Sequence, residues 1–453
     1  MRRRVALIGE NSVEYINALL EIWNNGDCAV LIDWRIPIKT ALQMLQEAKV
    51  EQCYVENKFY CDDFETINVD VVVFYRNNIH IQYLPLEVRK KFNNSYSDEE
   101  AVIIYSSGTT GNSKGVILTH KALTINADAI ISYMKPTEND CIYITKTISH
   151  LSTITGEILV SLKANIKLVV APIIVPPRYT LLNVEKYAAT ILCINPTLLR
   201  LYVEEYRKNK ERYNLTLLKK IYVNGAKANK NLIQNAQEVF KDQQIYYEYG
   251  LSEAGPRVAS QAVGYCSIDS VGKPIKGVQV KIIKESGKIA DINEHGIIHV
   301  STPSRYQKYV SGEEKFCSLY EDWLNTGDVG YIDVTGDLYI LSRIDSVIIK
   351  DAHKVYPCDI EEEIRKIKGI TGCCVTHIEY QDKIWIGCIY TGDNVEENAI
   401  KRNLNSSLMS YEIPDIYIHS EDIPITKTGK VSISEAKDII SQKVKRKCEK
   451  RGD

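Results

Sequence analysis

Residues 105–116 read YSSGTTGNSKGV, with three glycines, hydroxyls at Ser106, Ser107, Thr109 and Thr110, and a lysine at Lys114. An apolar run, AVII, leads in, and ILTH leads out. Glycine lets backbone N–H groups crowd a polyanion, hydroxyls add donors, and a lysine supplies charge. In an open α/β sheet, ligands gather in the loops that follow the carboxyl ends of strands. The stretch is therefore expected to grip phosphates, against the plainer alternative of a hydroxyl-rich linker. It is not the loop of a P-loop NTPase, whose signature needs Gly-Lys followed by Ser or Thr. Here Lys114 precedes Gly115, and Val116 follows.

Five further stretches hold chemistry-bearing residues in order along the chain: YVNGAK (222–227), YEYGLSEAG (247–255), TGDVGYID (326–333), SRIDSVIIKDAHKVYPCDIEE (342–362) and ITKTGKVS (425–432). Together with the opening loop, they resemble the adenylate-forming superfamily of acyl- and aryl-CoA synthetases, peptide-synthetase adenylation domains and luciferases. The resemblance implies ATP-dependent joining of a carboxylate to the α-phosphate, release of pyrophosphate, and transfer of the acyl group to a thiol. Both partners of the first step are anions, so the site has to neutralise charge and hold an in-line geometry.

By the same resemblance, Ser106, Ser107, Gly108, Thr109, Thr110, Gly111 and Lys114 hold the β- and γ-phosphates. Glu253 becomes the magnesium ligand and Ser252 faces the α-phosphate, a carboxylate on a largely hydrated Mg²⁺ being what that ion prefers. Adenine lies between Asn224-Gly225-Ala226 and the Tyr249 ring, beside Gly250. Asp328 and Arg343 reach the ribose, Lys430 is the catalytic lysine, and Asp345 is the hinge about which a small domain rotates between the half-reactions. Singly, each of these residues has an ordinary reading: Tyr249 as core, Asp328 as a turn former, Glu253 as a surface acid. Their shared order is the argument.

Three departures bear on substrate and acceptor. The segment KTISHLSTITGE (146–157) lacks the aspartate that binds the ammonium of an α-amino acid, which disfavours such a substrate. His150 resembles the histidine that relatives place near the carboxylate, but the next glycine is Gly156, not three residues on. The hydroxyls of Ser149, Ser152, Thr153 and Thr155 suggest a polar acid. Asp351 and Ala352 stand where coenzyme A users commonly have two glycines, which predicts altered thiol transfer, to a carrier protein's phosphopantetheine or more weakly to CoA. The N-terminal segment resembles one that usually follows some tens of residues, and no carrier-domain motif follows the last domain, so any carrier is expected to be a separate protein.

The elements that must position these residues are legible as alternation. VALIG leads to SVEYINALLEIWNN, CAVLID to KTALQMLQEAKV, and the rhythm returns at IKLVVAP, ATILCIN, LKKIYVNG and QIYYEYG. Such alternation predicts a largely parallel sheet with helices on its faces. From about 264 to 342, short runs broken by turns predict a small antiparallel or barrel-like part. The expected fold is α/β: an N-terminal domain over 1–343, and a smaller α+β domain over 344–453, joined by a hinge.

With 453 residues, 45% hydrophobic and 25% charged, the chain is too long for one core. A formal net charge of -2 gives no reason to expect nucleic-acid or anionic-membrane binding. The basic end KVKRKCEKR reads as a solvated tail. Twelve cysteines without CxxC spacing, eight scattered histidines, and neither a signal-peptide core nor a membrane-spanning run suggest reduced thiols, no zinc site and a cytoplasmic setting. A reading of another class, a non-catalytic relative that senses ATP or AMP, is opposed by the presence of Lys114, Glu253 and Lys430 together.

Overall fold

The computed structural model describes residues 2–76, 81–106, 114–173, 176–228, 230–264, 266–312, 322–350, 353–381, 383–393, 395–425 and 431–449. The predicted alternation folds as strands and helices in register with the apolar runs. CAVLI forms the strand Cys28–Ile32, buried along its whole length, as a central strand covered on both faces must be. The helix Val13–Asn24 starts at Ser12, whose side chain accepts from the Tyr15 N–H. It turns Tyr15, Ile16, Leu19 and Leu20 inward.

The first sheet has the order Lys308–Tyr309, Lys114–Thr119, Glu100–Ser106, Cys28–Ile32, Arg4–Ile8, Gln52–Glu56, Asp70–Phe74. From Glu100–Ser106 to Asp70–Phe74 the pairing is parallel, and at the other margin it is antiparallel. One face packs on the helix Ile38–Glu47 through Ala6, Val30, Leu45, Val55, Phe64 and Ile103. Truncating a buried leucine such as Leu45 in such a core costs about 2–5 kcal/mol.

The second sheet runs Lys273–Pro274, Arg257–Ser260, Gln244–Gly250, Lys220–Val223, Ile191–Ile194, Cys141–Ile144, Lys167–Val170, Gln82–Tyr83. It too has a parallel centre and antiparallel margins. Between Cys141–Ile144 and Lys167–Val170 lies a helical run over 151–163. Its middle, Ile154–Leu159, is a π-helix whose every residue is buried. Such bulges cluster at functional sites. The short strands Gln279–Ile283, Gly296–Ser301, Leu324–Ile332 and Leu338–Arg343 form the separate four-stranded sheet expected for the turn-rich region.

The chain divides into two compact units. One comprises Met1–Glu294, Ile298–Thr326 and Ile332–Tyr339, and the other His295–Ile297, Gly327–Tyr331 and Ile340–Asp453. In the second unit, Ile370–Tyr380 pairs antiparallel with Lys383–Gly392, which pairs parallel with Ile416–His419. Alternate residues serve opposite faces. Val375, Ile386 and Cys388 meet Ile360, Ile364 and Leu404, whereas Cys374 and Ile389 meet Ala436, Ile440 and Val444. Gly387 is needed for that second face, because a Cβ there would lie 2.6 Å from Ile440 Cδ1. No helix among the described residues is long and apolar enough to cross a membrane.

Candidate active site

The opening loop joins two paired strands. Glu100–Ser106 and Lys114–Thr119 run antiparallel, with Ser106 opposite Lys114 and Tyr105 opposite Gly115. The loop residues Ser107, Gly108, Thr109, Thr110 and Gly111 lie outside the described residues, as does the Ser106 side chain. Gly115 carries no Cβ for a reason: one would lie 2.7 Å from Val310 Cγ2. Its absence lets Lys308–Tyr309 lie against Lys114–Thr119, with Tyr309 opposite Val116.

That approach assembles a cluster. The Lys114 ammonium sits 5.1 Å from the centroid of the Tyr309 ring. The Tyr309 hydroxyl donates to Glu253 Oε1 at 2.7 Å. Burial, with the Glu253 charge, pushes the Tyr309 hydroxyl well above its usual range, so it remains a donor across working pH. The Tyr306 N–H donates to the Glu253 carbonyl, and Ser304 Oγ to the Ala254 carbonyl, at 2.8 and 3.0 Å. Tyr309 was not among the expected site residues. A tyrosine in QKYV carries no signal of its own, and its link to Glu253 spans 56 positions.

Glu253 and Ser252 lie in a single turn, Ser252–Ala254, after the strand Gln244–Gly250. The strand must fold sharply back here, and the Leu251 N–H bonds the Pro256 carbonyl at 2.9 Å. A Cβ on Gly250 would lie 2.0 Å from that same oxygen. Tyr249 is buried in this strand, opposite Ala259. A single carboxylate, turned by a tyrosine and beside a lysine-bearing strand, suits a magnesium ion that draws its other ligands from water and phosphate.

Asn224 ends the strand Lys220–Val223, but its side chain points into the protein and is 2% exposed. Its amide accepts from Lys146 Nζ at 3.1 Å and donates to Glu248 Oε2 at 3.0 Å. Gly225 follows with φ +91° and open space where a Cβ would point, and Ala226 is exposed. The segment is tethered again at Ala228, whose N–H donates to the Tyr247 hydroxyl at 2.9 Å. Backbone and Ala226, not the Asn224 amide, are what this segment offers a ligand.

His150 is the cap of the helical run over 151–163, and its side chain is 43% exposed. Its Nε2 lies 3.9 Å from Asp33 Oδ2. Arg35 binds Asp33 through Nε at 2.9 Å, and its hydrogen bond and charge outweigh burial to hold the Asp33 carboxyl below its usual range. The neighbouring hydroxyls behave differently from expectation. Thr153 and Thr155 are fully buried, Thr155 donates to the Leu151 carbonyl, and Ser149 bonds Thr147. Ser152 alone of the four is half-exposed, with its hydroxyl 3.4 Å from Lys146 Nζ.

Lys146 and Glu157, which no motif singled out, face each other beneath this helix, 7% and 0% exposed. The 3.1 Å contact from Lys146 Nζ to Glu157 Oε1 runs off the hydrogen-bond direction, so neither carboxylate oxygen has an aligned donor. Burial pushes the Glu157 carboxyl up to about 7, with Lys146 pulling the other way.

In the second unit, Asp328 and Arg343, expected to share the ribose, are brought together: Arg343 Nη1 donates to Asp328 Oδ1 at 3.0 Å. Asp345 is exposed in the turn Ile344–Ser346. Ile348–Lys350 pairs with His353–Val355, and Asp351 and Ala352, between them, lie outside the described residues. So does Lys430, between the bridged residues Ile425 and Val431.

Two α/β sheets, a tyrosine-held carboxylate and a tethered glycine segment fit the adenylate-forming class. The family profile described as AMP-binding enzyme matches residues 2–310. The chain belongs to the AMP-binding enzyme family. Curated relatives include the 2-succinylbenzoate–CoA ligase of Bacillus mycoides (strain KBAB4), 26% identical over 97% of this chain and 89% of that protein. Another is the fatty acid–[acyl-carrier-protein] ligase ScoC of Streptomyces coeruleorubidus, 23% identical over 96% of this chain and 86% of that one. Among solved structures, ATP-bound MatB from Rhodopseudomonas palustris superposes with a TM-score of 0.86 at 20% identity, covering 97% of this chain and 89% of the other.

Proposed function

We propose that this chain activates an aryl or acyl carboxylic acid with ATP and passes the acyl group to a thiol. A carboxylate oxygen attacks the α-phosphorus, the bond to the bridging oxygen breaks, and pyrophosphate leaves. The thiol sulfur, losing its proton to solvent, then attacks the acyl carbon and AMP departs with the electrons of the C–O bond. The observation that carries this reading is the meeting of Lys114, Tyr309 and Glu253 at the end of the hydroxyl-rich loop.

In this reading the loop and Lys114 take the β- and γ-phosphates, and Ser252 faces the α-phosphate. Glu253 holds Mg²⁺, which when bound offsets phosphate charge. Tyr249 and the segment 224–226 receive adenine, and Asp328 with Arg343 receives the ribose. Lys430 stabilises the charge that grows during adenylation, His150 lies toward the acid, and Asp345 is the hinge between domains over 1–343 and 344–453.

The absence of an acid-pocket aspartate disfavours α-amino acids, and the structure adds a reason. Glu157, the carboxylate of that segment, already faces an ammonium, that of Lys146. The curated relatives activate 2-succinylbenzoate and fatty acid, in keeping with an aryl or acyl substrate here. Their acceptors are CoA and an acyl carrier protein. Asp351 and Ala352, in place of two glycines, point to altered thiol transfer, to a carrier protein's phosphopantetheine or more weakly to CoA, and the setting we take as cytoplasmic.

Hydroxylamine trapping and pyrophosphate exchange across a panel of aryl, acyl and α-amino acids test the first step. Exchange is expected with aryl or acyl acids and not with amino acids. ATP binding without exchange on any acid would make the protein a nucleotide sensor instead. Brisk turnover with free CoA would remove the carrier preference.

A further inference from the structure

The strongest unused feature of the molecule is the polar network buried beneath the segment 224–228. Its members come from five separate stretches. Lys146 Nζ reaches Asn224 Oδ1 at 3.1 Å, Ser152 Oγ at 3.4 Å and Glu157 Oε1 at 3.1 Å. Asn224 Nδ2 passes the contact on to Glu248 Oε2, which also pairs with Arg257 Nη2 at 3.1 Å. The other oxygen of Glu248 accepts from the Tyr133 hydroxyl at 2.6 Å. Two buried ion pairs are thus joined through one amide.

The amide sits at a structurally sensitive point. Asn224 is the last fixed residue before Gly225, whose positive φ turns the chain outward. Its N–H is held by the Ile194 carbonyl at 2.9 Å, and the Ala228 N–H is held by the Tyr247 hydroxyl. Between these two anchors Gly225, Ala226 and Lys227 are all exposed. What holds the Asn224 side chain from below therefore contributes to where this short exposed piece sits. Lys146 holds it by a charge-assisted bond in a site that excludes water, where such a bond is strongest.

We infer that Lys146, braced by Glu157 in the π-helix, is a positioning residue for nucleotide binding that acts through Asn224 on the segment 224–226. The inference rests on the assignment of that segment to adenine. It goes beyond that assignment by placing a determinant of nucleotide affinity on Lys146, in the bend before the helical run, and on its partner Glu157 within it. The π-helix is part of the device. Gly156 lies where a Cβ would come within 3.2 Å of Arg257 Nη2, so the bulge fits against one ion pair while its next residue supplies the other.

The test is direct binding of ATP, AMP and inorganic tripolyphosphate to the full-length protein by calorimetry, with no acid present. Lys146→Met keeps length and removes charge. It is expected to weaken ATP and AMP by about tenfold, the scale of an acceptor left unsatisfied in the interior. Tripolyphosphate, which has no adenine, is expected to bind as to the wild type. Lys146→Arg, keeping a cation, is expected to retain ATP affinity within about threefold. A lower melting temperature with unchanged ATP affinity makes the pair merely structural and overturns the inference. So does equal weakening of ATP and tripolyphosphate. Should Lys146→Met fail to fold, Glu157→Gln carries the same test, and unaltered ATP and AMP binding in that variant overturns the inference. Failure of the wild-type protein to bind ATP at all is a different result: it removes the nucleotide reading itself.

Discussion

In the large unit, Tyr309 links two of the expected site residues, Glu253 and Lys114, without itself being expected. Its hydroxyl fixes Glu253 Oε1 while its ring faces the Lys114 ammonium. Outer partners of this kind fix which way a ligand oxygen points, and their loss costs about 10–100-fold in metal affinity. Tyr309→Phe keeps the ring and its contact with Lys114, and removes only the bond to Glu253. We expect the magnesium concentration for half-maximal pyrophosphate exchange to rise about tenfold, with the acid KM little changed. An unshifted magnesium dependence would show that Glu253 needs no such support. Glu157 yields a second prediction at this scale. Its folded pKa of about 7 lies above the ordinary 4.5. Below about pH 4.5, folded and unfolded chains are both protonated there, and the group costs nothing. As pH rises toward 7, the unfolded chain ionises first, so stability falls, by about 3 kcal/mol in all. Lys146, Arg257, Cys193 and Thr153 face this group, and of these Lys146, Arg257 and the Thr153 hydroxyl favour its charge. Glu157→Gln has no such slope, so its melting temperature relative to wild type should climb between pH 5 and pH 8. Parallel melting curves across that range would refute the assignment.

At the scale of elements, the strand-and-helix rhythm was open to reading because burial imposes a period. CAVLI and ILCI are apolar throughout and became strands buried throughout, Cys28–Ile32 and Ile191–Ile194. The YEYGLSEAG turn was legible for a different reason: glycine spacing reports a local backbone need. Gly250 shows it, since a Cβ there would collide with the Pro256 carbonyl. What was not legible depends on contacts between distant stretches. Lys146 and Glu157 lie eleven residues apart, and only the buried π-helix makes them face each other. Tyr309 reaches Lys114 because Gly115 lets Lys308–Tyr309 approach, a condition written at neither end alone. The hydroxyls of Thr153 and Thr155 misled for the same reason. Composition suggested a polar pocket, but helical packing turned both inward. The turn at Gly250 makes its own prediction. Gly250→Ala should destabilise the large unit by about 1–3 kcal/mol, the usual cost of forcing an extra carbon into packed structure, seen as a lower melting temperature. An unchanged melting temperature would mean that the turn can open.

At the scale of the whole molecule, the chemistry demands two arrangements of charge that one rigid site cannot supply. During adenylation, a cation is needed between two anions, the carboxylate and the α-phosphate. During thiol attack the leaving group is AMP, and the thiol must have a path to the acyl carbon. On the proposed reading these needs are met by different units: ITKTGKVS lies within the unit that takes in Ile340–Asp453, while Lys114 and Glu253 belong to the other. Asp345, the proposed hinge, is exposed in a single turn after Leu338–Arg343, and hinges of this kind are a few turn residues that absorb a backbone change. The consequence separates the two half-reactions. Lys430→Ala should lower the rate of adenylate formation by about 100-fold or more, the scale of losing one fixed charge at a developing oxyanion. The same variant, supplied with ready-made acyl-adenylate, should form thioester at close to the wild-type rate. Single-turnover assays of each step, run side by side, decide it. If both steps fall together, Lys430 serves one conformation throughout and the rotation about Asp345 has no role.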